Sequence, residues 1–297
     1  MITDEEVEKC RKIHETLAEH WSGAYYDSEQ NDTSWLLGEY VKQLKTDVKD
    51  RVLIMFHEVE NIIQEFPHEA FSILDVGCGV GGFIHHTLSK LIKDYPKIEF
   101  RTSGIDISNE MITYASKNLA DFNVELVNDD IMNPYLKLEN EPFDVAIIMS
   151  TLSFYSDTKV GDLLRSINGK LKNGGLLLVM DFSSSYNRRG FPIINKPLGK
   201  LTNMLFSHLI NEPFHFRNRT KAHLESLFSD TGFNVVKSYL TEELSEPKLE
   251  GVLVIKAQTE VQTEITDAQK DGIGISMPEM EVQSTFTPHH KEYSNMP

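Results

Sequence analysis

The sequence predicts an α/β protein built on an open, doubly wound and mostly parallel sheet. Three observations carry that expectation. From Phe71 onward short apolar runs alternate with amphipathic helical stretches; each run is bounded by Gly, Asp or Asn; and glycines crowd the junction between the first run and the first helix. Short apolar runs bounded in this way read as strands covered on both faces.

In order, the strand FSILDVG gives way to a helix through FIHHTLSKLIKDY, and EFRTSGIDI to a helix through NEMITYASKNLADF. VELVND and FDVAIIMS follow, then a helix through VGDLLRSINGKL, a turn at Asn173, Gly174 and Gly175, and the strand LLLVMDF. In such a sheet ligands bind outside the carboxyl ends of the strands, near the point where strand order reverses. Function is therefore to be sought at Gly77 to Gly82, Asp106, Asn128 to Asp130, Ser150 to Tyr155, and from Asp181 onward.

A chain of 297 residues, 40% hydrophobic and 25% charged, suits a soluble globular protein and excludes collagen-like, disulfide-scaffold and wholly disordered classes. Cys10 and Cys78 stand far apart in no metal-ligand spacing, so neither a disulfide framework nor a metal site is expected and a reducing compartment is the default. No apolar run is long enough to span a bilayer and the N-terminus, MITDEEVEKCRK, is acidic, so the expectation is a cytoplasmic protein without membrane contact. The balance of 29 basic against 45 acidic residues, net -16, argues against a nucleic-acid partner, because phosphate binding draws on concentrated Lys and Arg.

The acidity sits in the flanks. Residues 1–70 carry 16 acidic and 7 basic side chains and residues 257–297 carry 7 and 2, which leaves 22 and 20 for residues 71–256. The organisation read from this is a helical N-terminal extension over 1–69, an α/β domain over 70–257 with an insert at 182–221, and a tail over 258–297. The tail has scattered Thr, Gln, Glu and Pro and few large aliphatics, so it is expected to stay disordered.

At the first strand end, LDVGCGVGG permits a tight turn and a close approach of backbone to ligand. Gly77, Gly79 and Gly82 also satisfy the GxGxxG spacing of dinucleotide-binding proteins. Asp75, just ahead of them, would repel a pyrophosphate and attract a cation. Asp106, 24 residues after Gly82, suits a carboxylate that accepts both hydroxyls of a ribose. The ligand read from these residues is a nucleoside carrying positive charge.

Four stretches, ILDVGCGVGG, GIDISNEMITYA, LVNDDIMNP, and FDVAIIMSTLSF with LLRSINGKLKNGGLLLV behind it, resemble in order the pattern of class I S-adenosylmethionine-dependent methyltransferases. DTGFNVV and GVLVIKA resemble that family's final helix end and antiparallel strand pair, so the likeness covers about residues 70–183 and 220–257. The resemblance implies a seven-stranded sheet with an antiparallel C-terminal strand, and S-adenosylmethionine as cofactor. It implies that Asp75 orients the methionine end, that Gly77 and Gly79 let the backbone lie against the cofactor, and that Asp106 holds the ribose. Ile107 and Met111 would be apolar neighbours of the adenine. Asp129, preferred over Asp130 on the family's spacing to Pro134, would accept from the adenine amino group. Ser150 and Leu152 would floor the site near the transferable methyl, and Tyr25 and Tyr26 resemble an N-terminal aromatic lid over the substrate. Cys78 is expected as a small buried residue, and adjacent His85 and His86 as surface or core residues.

The insert carries Arg188, Arg189, Lys196, Lys200, Arg217, Arg219 and Lys221 against one acid, Glu212, interleaved with aromatics. Arg188 and Arg217 are candidates for gripping a carboxylate or phosphate of the acceptor; a solvated basic face is the competing reading. Methyl transfer from a sulfonium is an in-line displacement that depends mainly on positioning, with Tyr155 and His215, or His208, as bases where the acceptor arrives protonated. Ser150, Thr151 and Leu152 stand where nucleic-acid amino methyltransferases carry Asn/Asp-Pro-Pro-Tyr/Phe, and no Asp and Asn cluster suggests magnesium. The expectation is a metal-independent methyltransferase acting on nitrogen or oxygen, with carbon as a further option, of a small and anionic molecule. A peptide acceptor, a catalytically silent binding module and an NAD(P)-dependent oxidoreductase are the alternatives, and the oligomeric state is left open.

Overall fold

The computed structural model describes residues 5–26, 35–65, 69–182, 217–243 and 252–259, without the side chains at 17, 19–26, 35–47 and 242. Two helices, α1 (Glu5–Tyr26) and α2 (Trp35–Glu65), precede the sheet. Then follow β1 (Ala70–Val76), α3 (Gly82–Asp94), β2 (Glu99–Asp106), α4 (Asn109–Asn118), β3 (Val124–Asn128) and β4 (Phe143–Met149). A 3-10 turn, Leu152–Phe154, leads to α5 (Asp157–Asn168), β5 (Leu171–Phe182), α6 (Lys221–Ser229), β6 (Phe233–Leu240), a second 3-10 turn, Thr241–Glu243, and β7 (Val252–Thr259). The sheet has seven strands in the order β3-β2-β1-β4-β5-β7-β6. β7 runs antiparallel to both β5 and β6, and the other pairings are parallel, as the resemblance implied.

The central strands are apolar on both faces because both faces are covered. Alternate residues feed two cores: Leu74, Ala146, Ile148, Leu177 and Val179 pack with Ile13 of α1, Leu164 of α5 and Phe228 of α6. Ile73, Val145, Ile147, Leu178 and Met180 pack with Met55 and Ile62 of α2 and Phe83 of α3. This is the period of two expected for a strand sandwiched between helical layers.

Two of the boundaries that differ from the sequence expectation have a cause visible in the packing. β5 begins at Leu171, so the Asn173–Gly175 turn lies inside the strand, where the register against β4 shifts between Phe143 and Val145. Gly174 has φ 75°, and a Cβ on Gly175 would come within 2.8 Å of the Lys172 carbonyl, so the glycines form a bulge that keeps the strand going. α4 stops at Asn118 and does not reach Phe122. The chain turns at buried Leu119, whose side chain fills the space over Gly81, 2.8 Å from where a Cβ would stand.

Strand order reverses between β1 and β4, and a cleft opens at the carboxyl ends of these strands. α1 packs near this end, with Cys10 and Ile13 buried in one cluster with Val76, Ile105, Leu152 and Tyr155. Its start is tied down by Glu6, which accepts from the Ser156 amide at 3.1 Å and hydroxyl at 2.7 Å and from Arg217 at 2.9 Å. The 3-10 turn after β4 is fixed in turn by buried Arg219, which donates to the Leu152 and Tyr155 carbonyls and to Asp157.

Candidate active site

The loop after β1 is shaped by left-handed glycines: Gly77 has φ 74°, Gly79 53° and Gly81 79°. A Cβ on Gly77 would lie 2.6 Å from the Thr151 hydroxyl, so β1 and the segment after β4 approach here as only glycine allows. The amides of Gly77 and Cys78 donate to the Ile105 carbonyl at 2.8 and 3.1 Å, which pins the loop to the end of β2. Asp106 completes the joint: its two oxygens accept from the Gly79 amide and the Ser108 amide, each at 2.9 Å. Ser108 caps α4 by accepting from the Met111 amide, which leaves Asp106 free of that role. A carboxylate has about four lone-pair positions, and two remain on Asp106 for the hydroxyls of a ribose.

A cleft of about 760 Å³, counted to its open mouth, is lined by Asp75, Gly77, Gly79, Asp106, Met111 and Ser150, with His14 and Arg51 among the residues from the helices. An adjoining cavity of about 370 Å³ is lined by Cys10, Ile107, Asp129, Asp130 and Tyr155, and shares His14, Gly77, Asp106 and Thr151 with the first. Burial, and then the charge of Asp106, push the Asp75 carboxyl up to about 7. The charge of Asp106 is what acts on Asp75 besides burial, so a cationic group bound beside the two acids would favour the ionised form of Asp75. Ribose hydroxyls at Asp106, a cationic amino-acid end at Asp75 and a base beside Ile107 and the two later acids together fit S-adenosylmethionine.

The sequence-predicted residues fall in different places. Asp75, Gly77, Gly79, Asp106, Met111 and Ser150 line the larger cleft; Ile107 and Asp129 line the smaller, so Ile107 and Met111 do not share one wall. Asp129 accepts from the Asp130 amide at 2.7 Å and from Asn133 at 3.0 Å, and Asp130 from the Met132 amide at 2.9 Å. Both acids therefore also build the turn after β3. Ser150 holds φ 56°, a left-handed conformation rare outside glycine, at the end of β4; its amide donates to the Met180 carbonyl at 2.7 Å. His85 packs edge-on to Phe122 and His86 to Phe56, and neither lines either of these two cavities.

Three expectations need correction. Tyr155 is 4% exposed and lines the smaller cavity, whereas Ser150 lines the larger. Burial, and then contact with Cys10, hold its phenol well above the usual range, which makes it a poor base near neutral pH. Leu152 is buried in the core, and Thr151 takes the place beside Gly77. Arg217 is spent on Glu6, at 2.9 Å, and on the Phe154 carbonyl, because it serves to fasten α1 to the turn after β4. Tyr25 and Tyr26 end α1 with their side chains outside the described residues; Arg188, His208 and His215 lie outside them altogether.

The structure also brings in two residues that the strand ends did not announce. His14 lines both cavities, with its ring edge-on to Phe154 at 4.8 Å. Burial holds its imidazole below the usual range, against the pull of Asp106, so it is neutral at physiological pH. Cys10, His14 and Ala18 recur at helical spacing on one face of α1, a pattern that could have pointed to a face turned toward the domain. Arg51 stands within the apolar run after Asp50 on α2, where a lone arginine was the available signal.

Residues 73–175 match the family described as a methyltransferase domain. A malonyl-[acyl-carrier protein] O-methyltransferase of Acetivibrio thermocellus is 34% identical over 111 residues, 37% of this chain and only 35% of that enzyme's length. The human tRNA N(3)-cytidine methyltransferase METTL6 is 26% identical over 270 residues, 86% of each chain. Among solved structures, magnesium protoporphyrin IX methyltransferase from Synechocystis, with bound SAH, superposes with a TM-score of 0.60 at 14% identity, over 86% of this chain and all of that one.

The alignment with a tRNA methyltransferase along most of both chains overturns the expectation that nucleic acid is excluded as a partner. Net charge was the wrong quantity to reason from. The -16 of the whole chain is a sum dominated by its flanks, whereas nucleic-acid contact depends on local basic surface. The glycine loop, the tethered Asp106, the strand order and the match over residues 73–175 converge on a methyltransferase domain with the class I fold, whose cofactor is S-adenosylmethionine.

Proposed function

We propose that this protein transfers the methyl group of S-adenosylmethionine to a base of an RNA. Alignment over 86% of both chains with a tRNA cytidine methyltransferase carries the reading of the acceptor, since the O-methyltransferase relative aligns over little more than the cofactor-binding core. When bound, the cofactor supplies a methyl on a sulfonium whose thioether leaves without protonation. The chain's own task is to hold both partners in line and keep water out, worth about 7 to 11 kcal/mol. Asp75 and Asp106 orient the donor; α1, packed through Cys10 and Ile13, narrows access from solvent. A cytosine ring nitrogen carries its lone pair at neutral pH and needs no general base, which agrees with a Tyr155 phenol held far from titration. Residues 183–216 carry four basic side chains against one acid, the composition on which phosphate binding draws.

The test is transfer of labelled methyl to total tRNA and, in parallel, to a panel of small carboxylates, phenols and amines, with Asp106→Ala as control. Label recovered in a modified nucleoside and absent with the variant is the expected result. The segment Ser150, Thr151, Leu152, in place of an Asn-Pro-Pro-Tyr motif, favours a second reading, a small-molecule acceptor, which label on the panel alone would establish. Cofactor binding without transfer to either would sink both.

A further inference from the structure

We propose that Arg51, with Ser150 and Phe182, forms a seat for an oxyanion, a carboxylate or phosphate group, on the β4–β5 side of the cleft. The inference rests on the cofactor reading above. Arg51 lines the larger cleft yet is only 6% exposed. Its guanidinium carbon lies 4.3 Å from the centre of the Phe182 ring, and its Nη1 donates to the Ser150 hydroxyl at 3.2 Å. Its Nε is shielded from solvent and has no hydrogen-bond partner among the described residues.

A guanidinium offers five N–H donors in one plane and keeps its charge at any physiological pH. Burying such a group unpaired is costly, and an orphaned buried donor calls for an explanation. Neither acid of the cleft supplies one: Asp106 is engaged with Gly79 and Ser108, and neither it nor Asp75 pairs with Arg51. The Phe182 ring fixes the plane, and Ser150, held left-handed by its own backbone, fixes one end. What remains is the Nε-bearing edge, the side on which a guanidinium grips a carboxylate or phosphate through two parallel bonds. The geometry is set before any ligand arrives, which lowers the cost of binding.

Two ligands carry that chemistry into this cleft: the α-carboxylate of the cofactor, next to the ammonium that Asp75 attracts, or an anionic group of the acceptor. Calorimetric titration separates them. S-adenosylhomocysteine and 5′-methylthioadenosine, the same nucleoside thioether without the amino-acid end, are titrated into the full chain, Arg51→Met, Arg51→Lys and Asp106→Ala. If the seat takes the cofactor's carboxylate, Arg51→Met weakens S-adenosylhomocysteine by about tenfold to a hundredfold and leaves methylthioadenosine within about twofold. If it takes the acceptor's anion, both nucleosides bind as before. Inorganic phosphate, titrated into the chain saturated with S-adenosylhomocysteine, then binds the unsubstituted protein and not Arg51→Met. Arg51→Lys, which keeps the charge and loses the planar edge, falls between in either case. Arg51→Met indistinguishable from the unsubstituted chain for all three ligands overturns the proposal. So does equal loss of both nucleosides in the two Arg51 variants, which marks a purely structural role. A chain that binds neither nucleoside, or binds both as well with Asp106→Ala, overturns instead the cofactor reading beneath it.

Discussion

Asp75 should make the ligand-free protein less stable as the pH rises. Burial, followed by the charge of Asp106, moves its carboxyl from 3.8 to about 7. The unfolded chain releases this proton near 3.8 and the folded chain only near 7, so the stability that Asp75 contributes is complete below the first value. It is lost progressively up to the second, with no further change beyond. The shift of about three units amounts to about 4 kcal/mol in all, of which about 2 kcal/mol falls between roughly pH 5.5 and 8.5. That interval stays clear of the isoelectric point near 5.1. Asp75→Asn is close in shape and cannot ionise, so it removes this slope. Urea unfolding of both proteins at the two pH values should show the variant gaining about 2 kcal/mol on the parent at the higher pH. Parallel behaviour would refute the burial argument. A cation bound beside Asp75 favours its ionised form, so the parent should release protons on binding S-adenosylmethionine at about pH 7. Calorimetry in two buffers of different ionisation heat reads that release, and proton uptake would show that the cationic end lies elsewhere.

Two further substitutions separate architecture from ligand contact. Gly77→Ala meets both a positive φ and a Thr151 hydroxyl 2.6 Å away, so it should lower stability by about 2 kcal/mol or more in a thermal melt. Gly79→Ala, whose Cβ would meet nothing nearer than Met111 Sδ at 4.0 Å, should stay folded at a cost of about 1 kcal/mol while losing S-adenosylhomocysteine, since the methyl enters the cleft. Arg219→Met removes the donor shared by the Leu152 and Tyr155 carbonyls and Asp157, and should cost about 3 kcal/mol in urea unfolding. A loss under about 1 kcal/mol would mean that the turn after β4 holds itself.

Most of the sheet and half of the site are legible in the chain because the rules that set them are local. A strand buried on both faces announces itself as an apolar run, and the last residues of β1 and β2 carry Asp75 and Asp106 wherever the rest of the chain goes. Gly77 and Gly79 are needed at positive φ within a few bonds of those acids, so composition and spacing suffice. The misreadings share a different cause. Tyr155 follows the fourth strand as an acceptor-side residue should, yet its hydroxyl is claimed by Cys10 on α1. Arg217 looked free for an anion until Glu6, 211 positions away, took it. Even the turn at Gly174 was legible as a turn and misread as a boundary, since only the pairing with β4 shows that the strand continues through it.

The cofactor was thus written at strand ends, where backbone conformation and a neighbouring side chain are set by adjacent residues. The side of the cleft built by the N-terminal helices was not. Arg51 meets Ser150 across 99 positions, and His14 reaches the cleft from a helix whose own sequence says only that one face is apolar. Contacts between segments so far apart depend on how the helices dock on the finished sheet, and that docking is decided by the total packing of the two cores. No local pattern encodes which charged group is left facing a cavity without a partner; that follows only when every other partner has been placed.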